Sequence, residues 1–491
     1  MKYSQETFRS LVWCAVGLAA VSGCRSTAPK PEVFHDDQAI ATDIAKATEL
    51  PPVASEIEHV SFDQPESLQQ VQLTSASEIP AVPSVPQRGL TLQAIQDLAL
   101  ANNPAIMALS ATANAEQEYQ FQVGRSANPE VGYAANQLAD QGTDQHLVYV
   151  QREFVTGGKL QMNRDVLGHS VEAQRWEVET QRYRVMTDVR LKFVQALVAQ
   201  RQMEMIDEFH GVVTKGVTLA ERRFDAQEAS QAEVLQAEIQ MNEVEVMRQQ
   251  AEYRWKAAWK EMAAAAGVPN LEVTPLSGTL EGGSTELDWD TVYVALSDKS
   301  PELQAAFSRV RMARSNLSRQ EVQAIPNVTG NLQAGVDNAT GSGMLQLQLG
   351  APIPVFNDNS GNVSAAYHEY SRATHDVKRI EMSLQSRLAQ VSQEFDSARF
   401  AVDRYEHQIL PKAKQTLSLA EKAYGAGEFS FVQTLIARRT YFDTNLNYLD
   451  SLGNLSQAQA KVDGLLLTGA LDMAGSGSLG DALRGQTFSQ Q

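Results

Sequence analysis

The sequence is poor in cysteine, in aromatic residues and in positive charge. Its 491 residues include two cysteines, and aromatic side chains make up 7% of the chain. Lys and Arg number 41 against 59 Asp and Glu, so the formal net charge is −18. Because nucleic-acid binding requires clustered positive charge, this balance argues against a nucleic-acid partner.

Recognisable catalytic motifs are also missing. The sequence contains no H-E-x-x-H zinc motif, no P-loop and no G-x-S-x-G nucleophile elbow. The eight histidines are scattered. His368 and His375 could share a helix face, with Glu369 beside His368, but two solvated histidines are the simpler interpretation. We therefore predict a protein that is not an enzyme and that uses no cofactor and no bound metal.

The N-terminus has the features of a bacterial targeting segment. An apolar run of 11 residues, Leu11 to Val21, is too short for a membrane-spanning helix, which takes about 20 residues. The following "VSGC" resembles a lipobox, which predicts a signal peptide at 1–23 and acylation of Cys24. The alternative is a signal peptide cleaved beside an incidental cysteine. In the lipobox interpretation Cys14 leaves with the signal, so no cysteine remains for a disulfide or a thiolate metal site.

The segment at 24–88 predicts a lipidated, proline-rich linker. Between Arg25 and Arg88 it contains eight prolines and little periodicity. Such a segment buries too little apolar surface to order itself, so it is better suited to a tether than to a domain. Acyl chains on Cys24 would hold the tether at a lipid surface. Arg25, rather than an aspartate, follows the cysteine, which permits export to the outer membrane.

An internal duplication organises the rest of the chain. Pro104 and Pro301 are 197 residues apart, and so are Pro129 and Pro326. This period predicts two repeats, at 89–270 and 288–469, with a linker at 271–287 and a flexible tail at 470–491. Each repeat is expected to run helix, helix, strand, strand, long helix, long helix, so the fold class is mainly α with a small β part.

The predicted strands alternate between apolar and polar residues. In "MLQLQLG", Leu345, Leu347 and Leu349 lie on one face and Gln346 and Gln348 on the other. Such period-two runs fit half-buried strands, and they have about the 9–11 residues that cross a bilayer as a tilted strand. On periodicity alone, a small soluble sheet beside a helical bundle is the favoured alternative.

The long helices follow a coiled-coil pattern. In the second repeat, apolar residues recur at three- and four-residue spacing from Ile380 to Tyr424. An unbroken helix from Asn362 to Tyr424 would be ~95 Å long at 1.5 Å per residue. Pro411 interrupts it, and we expect a bend there, with Gly211 at the corresponding place in the first repeat. Many seam positions are alanine, which permits close approach of the helices.

Each long helix ends in a short break that occurs in both repeats. "AERRFDAQEAS" (Ala220 to Ser230) matches "AEKAYGAGEFS" (Ala420 to Ser430) at a spacing of 200. Gly425 and Gly427 predict a reversal that uses the conformational freedom of glycine. The first break has Gln227 in place of a glycine, so we expect the two repeats to turn differently.

These features together resemble the TolC family of outer-membrane efflux channels. The most specific similarities are "ILPKAKQTLSLAEKAYGAGEFSFVQTL" (Ile409 to Leu435), "PIPVFNDNSGN" (Pro352 to Asn362) and "EFVTGGKLQMNR" (Glu153 to Arg164). The last two are similar to the strand-to-helix junctions of the cobalt–zinc–cadmium-resistance branch. The resemblance covers Leu90 to about Gly469.

The resemblance implies a homotrimer in the outer membrane that extends into the periplasm. Four strands per subunit would form one 12-stranded transmembrane β-barrel, continuous with an α-helical coiled-coil barrel. Gln346 and Gln348 would face the watery lumen and the leucines the lipid. The channel would export metal cations or drugs delivered by an inner-membrane pump, of the RND type, through a periplasmic adaptor (membrane fusion) protein.

The resemblance also implies that the helical breaks form the periplasmic gate and docking tip. Tyr424 matches a tyrosine that bonds the neighbouring hairpin, and Glu233 occupies the acidic partner position. A seam aromatic is the alternative for Tyr424, and ordinary solvated turn residues are the alternative for the tip acids. Some relatives carry a ring of acidic residues just inside the tip. This sequence has Gln433 and Ile436 at those positions. The other tip residues on this interpretation are Phe224, Asp225, Gln227, Glu228, Gly425, Gly427, Glu428 and Ser430.

Two further functions stay open on the sequence. One is a lipid-anchored periplasmic coiled-coil adaptor or scaffold without a pore. The other is the outer-membrane duct of a type I protein secretion system. The alternating strands and the duplication favour the efflux channel over the scaffold.

Overall fold

The computed structural model describes residues 89–138, 142–280, 286–426 and 428–471. Within each repeat two short helices lead into two strands, and two long helices follow. The elements of the first repeat are α1 (Leu92–Asn102), α2 (Pro104–Val123), β1 (Glu130–Asn136), β2 (Gln145–Phe154), α3 (Lys159–Asp225) and α4 (Gln231–Ala265). Those of the second are α5 (Trp289–Lys299), α6 (Pro301–Glu321), β3 (Val328–Asp337), β4 (Ser342–Gly350), α7 (Ser360–Arg404), α8 (Leu410–Gly425) and α9 (Phe431–Asp463). The predicted element order is confirmed.

Matching caps start the second helix of each repeat. Asn103 caps α2 by accepting a hydrogen bond from the amide of Ala105, and Ser300 caps α6 by accepting one from Leu303. A proline follows each cap at the first helical position, where its missing N–H has no intrahelical partner in any case. The duplicated prolines at 104 and 301 are therefore helix-start signals.

The four strands form one antiparallel sheet in the order β1-β2-β3-β4. The central pair joins the repeats, because β2 of the first repeat pairs with β3 of the second, with Val150 opposite Leu332. Strands β1 and β4 form the two edges. The sheet is thus a joint product of both repeats.

The long helices run almost without interruption, and none of the described helices is long and apolar enough to cross a bilayer. Helix α3 has 67 residues and continues as α-helix through Gly211. In the second repeat a π-helical turn, Tyr405–Ile409, separates α7 from α8, and the amide of Leu410 donates to the carbonyl of Tyr405. Pro411 lacks an N–H and clashes with the preceding turn, which accounts for this local widening. This turn lies next to Pro411, and the bends expected at Pro411 and Gly211 stay predictions.

Apolar seams hold the helices together along their length. In the second repeat the buried stripe includes Ile380, Leu384, Leu388 and Phe395, as the three- and four-residue spacing predicts. In the first repeat Phe209 of α3 stacks on Phe442 of α9 with 4.2 Å between ring centroids, which links the two repeats. These contacts set the helices side by side over their whole length.

The two ends of the described chain are packed against the first repeat. Leu90 forms a parallel bridge with Leu276, in the segment predicted as the inter-repeat linker. Ala470 is buried, and Asp188 accepts hydrogen bonds from the amides of Gly469 and Ala470. Ala470, the first residue of the tail predicted at 470–491, is therefore still docked, and the tail beyond Leu471 lies outside the described residues. Cys24, the signal peptide and the linker lie outside the described residues.

Candidate functional site

The sheet has one mainly apolar face, which also carries His146 and Arg152 of β2, and one mainly polar face. Leu345, Leu347 and Leu349 of β4 are 66–75% exposed and lie level with Ala334, Leu332 and Gly330 of β3. Val148 and Val150 of β2 continue this face. So large an exposed apolar patch requires an apolar environment or a partner.

Polar side chains occupy the other face. Gln346 and Gln348 pair in register with Gln333 and Asn331 of β3, as the alternation predicts. Asn331 donates a hydrogen bond of 3.1 Å to the side chain of Gln151. The strands contribute Glu130, Glu153 and Asp337 to this face and no lysine or arginine. Among the strand residues, this face therefore carries acidic side chains and no basic ones.

A buried lysine joins the sheet to the long helices. Lys159, the first residue of α3, is 4% exposed, and its Nζ donates to the backbone carbonyl of Ile325 and to Oδ1 of Asn327. Nδ2 of Asn327 donates to Glu153 at 2.7 Å. Burial lowers the pKa of Lys159, and the nearby charge of Arg319 lowers it further. This network links the β2–α3 junction of one repeat to the α6–β3 junction of the other.

Two glycines bring Lys159 into this position. Gly157 and Gly158 have φ of 68° and 67°, in the left-handed region that glycine adopts without strain. A Cβ on Gly157 would lie 2.8 Å from Cγ1 of Val322, so the backbone there packs closely on the end of α6. The Gly-Gly-Lys sequence thus encodes this joint.

A polar cluster lies at the opposite end of the sheet, between β1 and β2. Nε2 of His146 lies 2.7 Å from Oδ2 of Asp144, and Nδ1 of His146 is hydrogen bonded to the hydroxyl of Tyr133. Asn338 donates to Asp144 at 2.9 Å. The hydrogen bonds from His146 and Asn338 lower the pKa of the Asp144 carboxyl. The cluster fastens the β1–β2 connection to the end of β3.

The turn of the first repeat forces a glutamine into a left-handed conformation. Gln227 has φ of 60°, and the amide of Glu228 donates to the carbonyl of Arg223 five residues earlier. This hydrogen bond is that of a Schellman motif, whose left-handed position is usually glycine. Phe224 and Asp225 are exposed beside it, and Ser230 begins α4 in an extended conformation.

The turn of the second repeat closes with the same hydrogen bond. The amide of Glu428 donates to the carbonyl of Ala423, again five residues earlier. The expectation that the two repeats turn differently is wrong in this respect, because Gln227 accepts the strain that a glycine would avoid. Gly427, the counterpart of Gln227, lies outside the described residues. Gly425 is the last helical residue of α8 and has no left-handed φ, so its predicted role in the reversal is wrong.

Ser430 stabilises the start of α9 after this turn. Its hydroxyl accepts a hydrogen bond from the amide of Gln433, while the side chain of Gln433 accepts one from the amide of Ser430. This reciprocal capping box satisfies two amides that a helix start leaves without partners. Gln433 is therefore a capping residue.

Arg223 connects the two turns. Its Nη1 donates to the hydroxyl of Tyr424, and its guanidinium carbon lies 5.5 Å from the centre of the Tyr424 ring. Nε of Arg223 is also 3.8 Å from Oε2 of Glu228. Tyr424 packs against the buried cluster around Val217 and Leu435, so it is at once a seam aromatic and a bonded side chain. The pairing of Tyr424 with Glu233 stays a prediction; Glu233 lies half-buried in the first turn of α4.

Sequence reasoning overlooked Arg223 and Asn327. Arg223 stands in the last turn of α3, where a positive side chain interacts favourably with the helix dipole, and this position alone gave no sign of its partner. His368 and His375 are both exposed on α7. Within the described residues no group of three or more His, Cys, Asp or Glu side chains could hold a metal ion.

Comparisons with known proteins agree on one family. The model of the family described as "Outer membrane efflux protein" matches residues 95–268 and 292–466. The cobalt-zinc-cadmium resistance protein CzcC of Cupriavidus metallidurans is 22% identical over 393 residues, which are 80% of this chain and 94% of that protein. Both repeats are therefore matched, together with nearly the full length of the relative.

Solved structures show the same fold. The outer membrane protein VceC of Vibrio cholerae superposes with a TM-score of 0.61 at 18% identity, over 77% of this chain and 96% of VceC. The open state of the MtrE outer membrane channel of Neisseria gonorrhoeae gives a TM-score of 0.63 at 16% identity, over 85% of this chain and 99% of MtrE. The described helices and sheet share the architecture of these membrane proteins.

Proposed function

This chain belongs to the outer membrane efflux protein family, and we propose that three copies of it form the exit duct of a tripartite system for divalent metal cations. It is an outer-membrane efflux channel, a passive transport duct rather than an enzyme.

The two-faced sheet is the observation that carries the proposal. One face is apolar and exposed, the other is polar, and the edge strands β1 and β4 have opposite directions, so β4 of one copy can pair with β1 of the next. Three copies then close a barrel of twelve strands, which removes the exposed edges and turns the leucines toward lipid. The polar face with Gln346 and Gln348 lines the lumen.

The two helical turns form the gate at the periplasmic end. The hydrogen bond between Arg223 and Tyr424 holds the first turn against the second within a chain. Release of this bond lets the turns separate and widens the entrance. Asp225, Glu228 and Glu428 are exposed there and present charge to an adaptor protein.

The cargo is proposed from the relative and from the lumen charge. The name of CzcC records resistance to cobalt, zinc and cadmium. The lumen face of the strands carries Glu130, Glu153 and Asp337 without a compensating lysine or arginine on that face. Such a surface favours cations over anions. The pump that supplies the energy is of the RND type, and a periplasmic adaptor connects it to the tips.

Deletion of the gene, followed by complementation, tests the cargo. We expect the deletion strain to lose tolerance to zinc, cobalt or cadmium and the wild-type gene to restore it, with tolerance to cationic dyes unchanged. Loss of dye tolerance alone would replace metal cations by drugs as the cargo. If the deletion strain stops secreting a polypeptide and keeps its metal tolerance, a protein-secretion duct is favoured instead.

Labelling with a fatty-acid analogue, with Cys24→Ala as control, tests the lipid anchor.

A further inference from the structure

The two strand-to-helix junctions of the chain are equivalent by sequence and geometry but differ in their surroundings. Gly158 and Asn359 both cap a long helix with a left-handed φ, of 67° and 63°. Counting back from these caps, Gly157 corresponds to Asp358, and Val155 corresponds to Phe356. The duplication therefore assigns a position in the second junction to each residue of the first.

The first junction is covered by the second repeat of the same chain. A Cβ on Gly157 would meet Val322 at 2.8 Å and Ile325 at 3.4 Å. The hydroxyl of Thr156 donates to the carbonyl of Pro326 at 2.5 Å. The first junction therefore packs on residues 322–326, which follow α6, and we call this packing surface the seat of the junction.

The second junction projects from the protomer. Ile353 and Val355 are 82% and 71% exposed, and Phe356 is fully exposed. Oδ1 of Asp358 accepts a hydrogen bond from the amide of Ser360, which fixes the carboxylate at the start of α7. Asp358 forms no ion pair with any residue in the described part of the chain. The second junction therefore exposes three apolar side chains and one carboxylate, whereas the first junction is packed against the protein.

The matching seat in the first repeat is exposed too. Since Pro129 corresponds to Pro326, Arg125 corresponds to Val322 and Asn128 to Ile325. The guanidinium carbon of Arg125 lies 4.1 Å from the centre of the exposed Phe121 ring. Arg125, like Asp358, has no ion-pair partner among the described residues. In one chain this seat lies by β1 and the projecting junction by β4, at opposite edges of the sheet.

We propose that the β4–α7 junction of one copy packs onto the end of α2 of the next copy, with Asp358 paired to Arg125 and Phe356 covering Phe121. This inference rests on the trimer of the proposed function and names the contact that closes it. The occupant is a second copy of this chain, because the same joint is already formed once inside each chain and because the edges β4 and β1 bring the two halves together. A carboxylate meets a guanidinium, and three exposed apolar side chains become buried beside an aromatic ring.

Disulfide cross-linking of the full chain tests the contact. In the double variant Asp358→Cys with Arg125→Cys, oxidation should produce covalent dimers and trimers in denaturing electrophoresis, since a disulfide needs Cα atoms within about 7 Å. The matched control pairs Asp358→Cys with Met107→Cys, which is exposed on the same helix α2 about 24 Å from its end, and should give monomers. Each single variant checks for pairing through Cys24.

A charge exchange supplies a second measurement that does not depend on thiols. Asp358→Arg and Arg125→Asp should each lower the temperature at which the trimer dissociates. The double variant, in which the two charges are exchanged, should regain most of the wild-type dissociation temperature. Asp358→Asn, which keeps the cap acceptor, separates loss of the charge from damage to the helix start. Two results would overturn the contact and leave the proposed function standing. One is a native trimer whose cysteine pair does not cross-link. The other is a double charge exchange that lowers the dissociation temperature by the sum of the two single effects. A wild-type chain that is monomeric in native electrophoresis would overturn both.

Discussion

The guanidinium of Arg223 donates a hydrogen bond to the hydroxyl of Tyr424, and this bond joins the ends of two long helices that lie 201 residues apart in the sequence. It connects the turn of one repeat to that of the other. Because hydrogen bonds to charged groups contribute about 1.5–3 kcal/mol, a single side chain can influence whether the two turns stay together.

Replacing Tyr424 by phenylalanine should favour the open entrance. The ring and its packing stay, while the acceptor for Arg223 is lost. A loss of about 1.4 kcal/mol raises the open-to-closed ratio roughly tenfold. Channel recordings should show longer openings, and Arg223→Gln should act in the same direction. The control is Tyr253→Phe on α4, where the tyrosine is exposed. Unchanged gating in both tip variants would remove this bond from the gate.

Replacing Gln227 by glycine should stabilise the first turn. A side chain at φ of 60° strains the backbone by about 1 kcal/mol, and glycine removes this strain. We expect slower proteolysis at residues 225–230 in the glycine variant. Gln227→Ala is the control, because it shortens the side chain but keeps the Cβ. Equal proteolysis rates for glycine and alanine would show that the turn is not strained.

Lys159 should be needed for a stable joint between sheet and helices. In Lys159→Met the carbonyl of Ile325 and Oδ1 of Asn327 lose their shared donor, which should lower the free energy of unfolding by about 1–3 kcal/mol. Thermal unfolding followed by circular dichroism measures the loss. Arg164→Met, at an exposed position on the same helix, also replaces a basic side chain by methionine and is the control. A variant as stable as wild type would contradict the role of this network.

The lowered pKa of Lys159 adds a pH dependence with a definite sign. Because the folded pKa lies below the ordinary 10.5, the folded state binds fewer protons than the unfolded state between the two values. The stability difference between wild type and Lys159→Met should therefore shift in favour of wild type as the pH rises toward 10.5. A difference that stays constant or shrinks over that interval would contradict the burial of this ammonium group.

Two neighbouring residues of β4 should respond differently to the same substitution. Leu347→Arg places a charge on the face assigned to lipid and should cost about 2–4 kcal/mol near the membrane centre, so less trimer should reach the membrane. Gln346→Arg places the same charge in the lumen and should leave assembly intact while lowering cation conductance. Membrane fractionation and native electrophoresis measure the first effect. Equal losses for both variants would contradict the two-sided sheet.

Short-range patterns were sufficient to predict the elements and their faces. The alternation in β4 placed Leu345 and Leu347 opposite Gln346, and the heptad spacing placed Leu384 and Leu388 in a buried seam. Pro411 predicted a bend, while the π-helical turn that precedes it in the structure was not predicted. Both kinds of signal depend on residues within one or two turns of each other.

Side-chain contacts between the two repeats could not be predicted from the sequence. Lys159 donates to Asn327, which lies 168 residues away, and Arg223 donates to Tyr424 from 201 residues away, and neither contact has a signal in the sequence. Each contact depends on how far one helix is shifted along another, and a shift of one turn changes every partner. Gly425 misled for a different reason: glycine permits a left-handed φ but does not require one, and Gly425 stays in the last turn of α8.

The most direct test of the channel is conductance of the purified protein in a planar lipid bilayer. A detergent-stable trimer should produce discrete, cation-preferring conductance steps, and Tyr424→Phe should increase the open time without changing the trimer. Purified trimers that insert into the bilayer and conduct no current, in wild type and in the gate variant alike, would contradict the account.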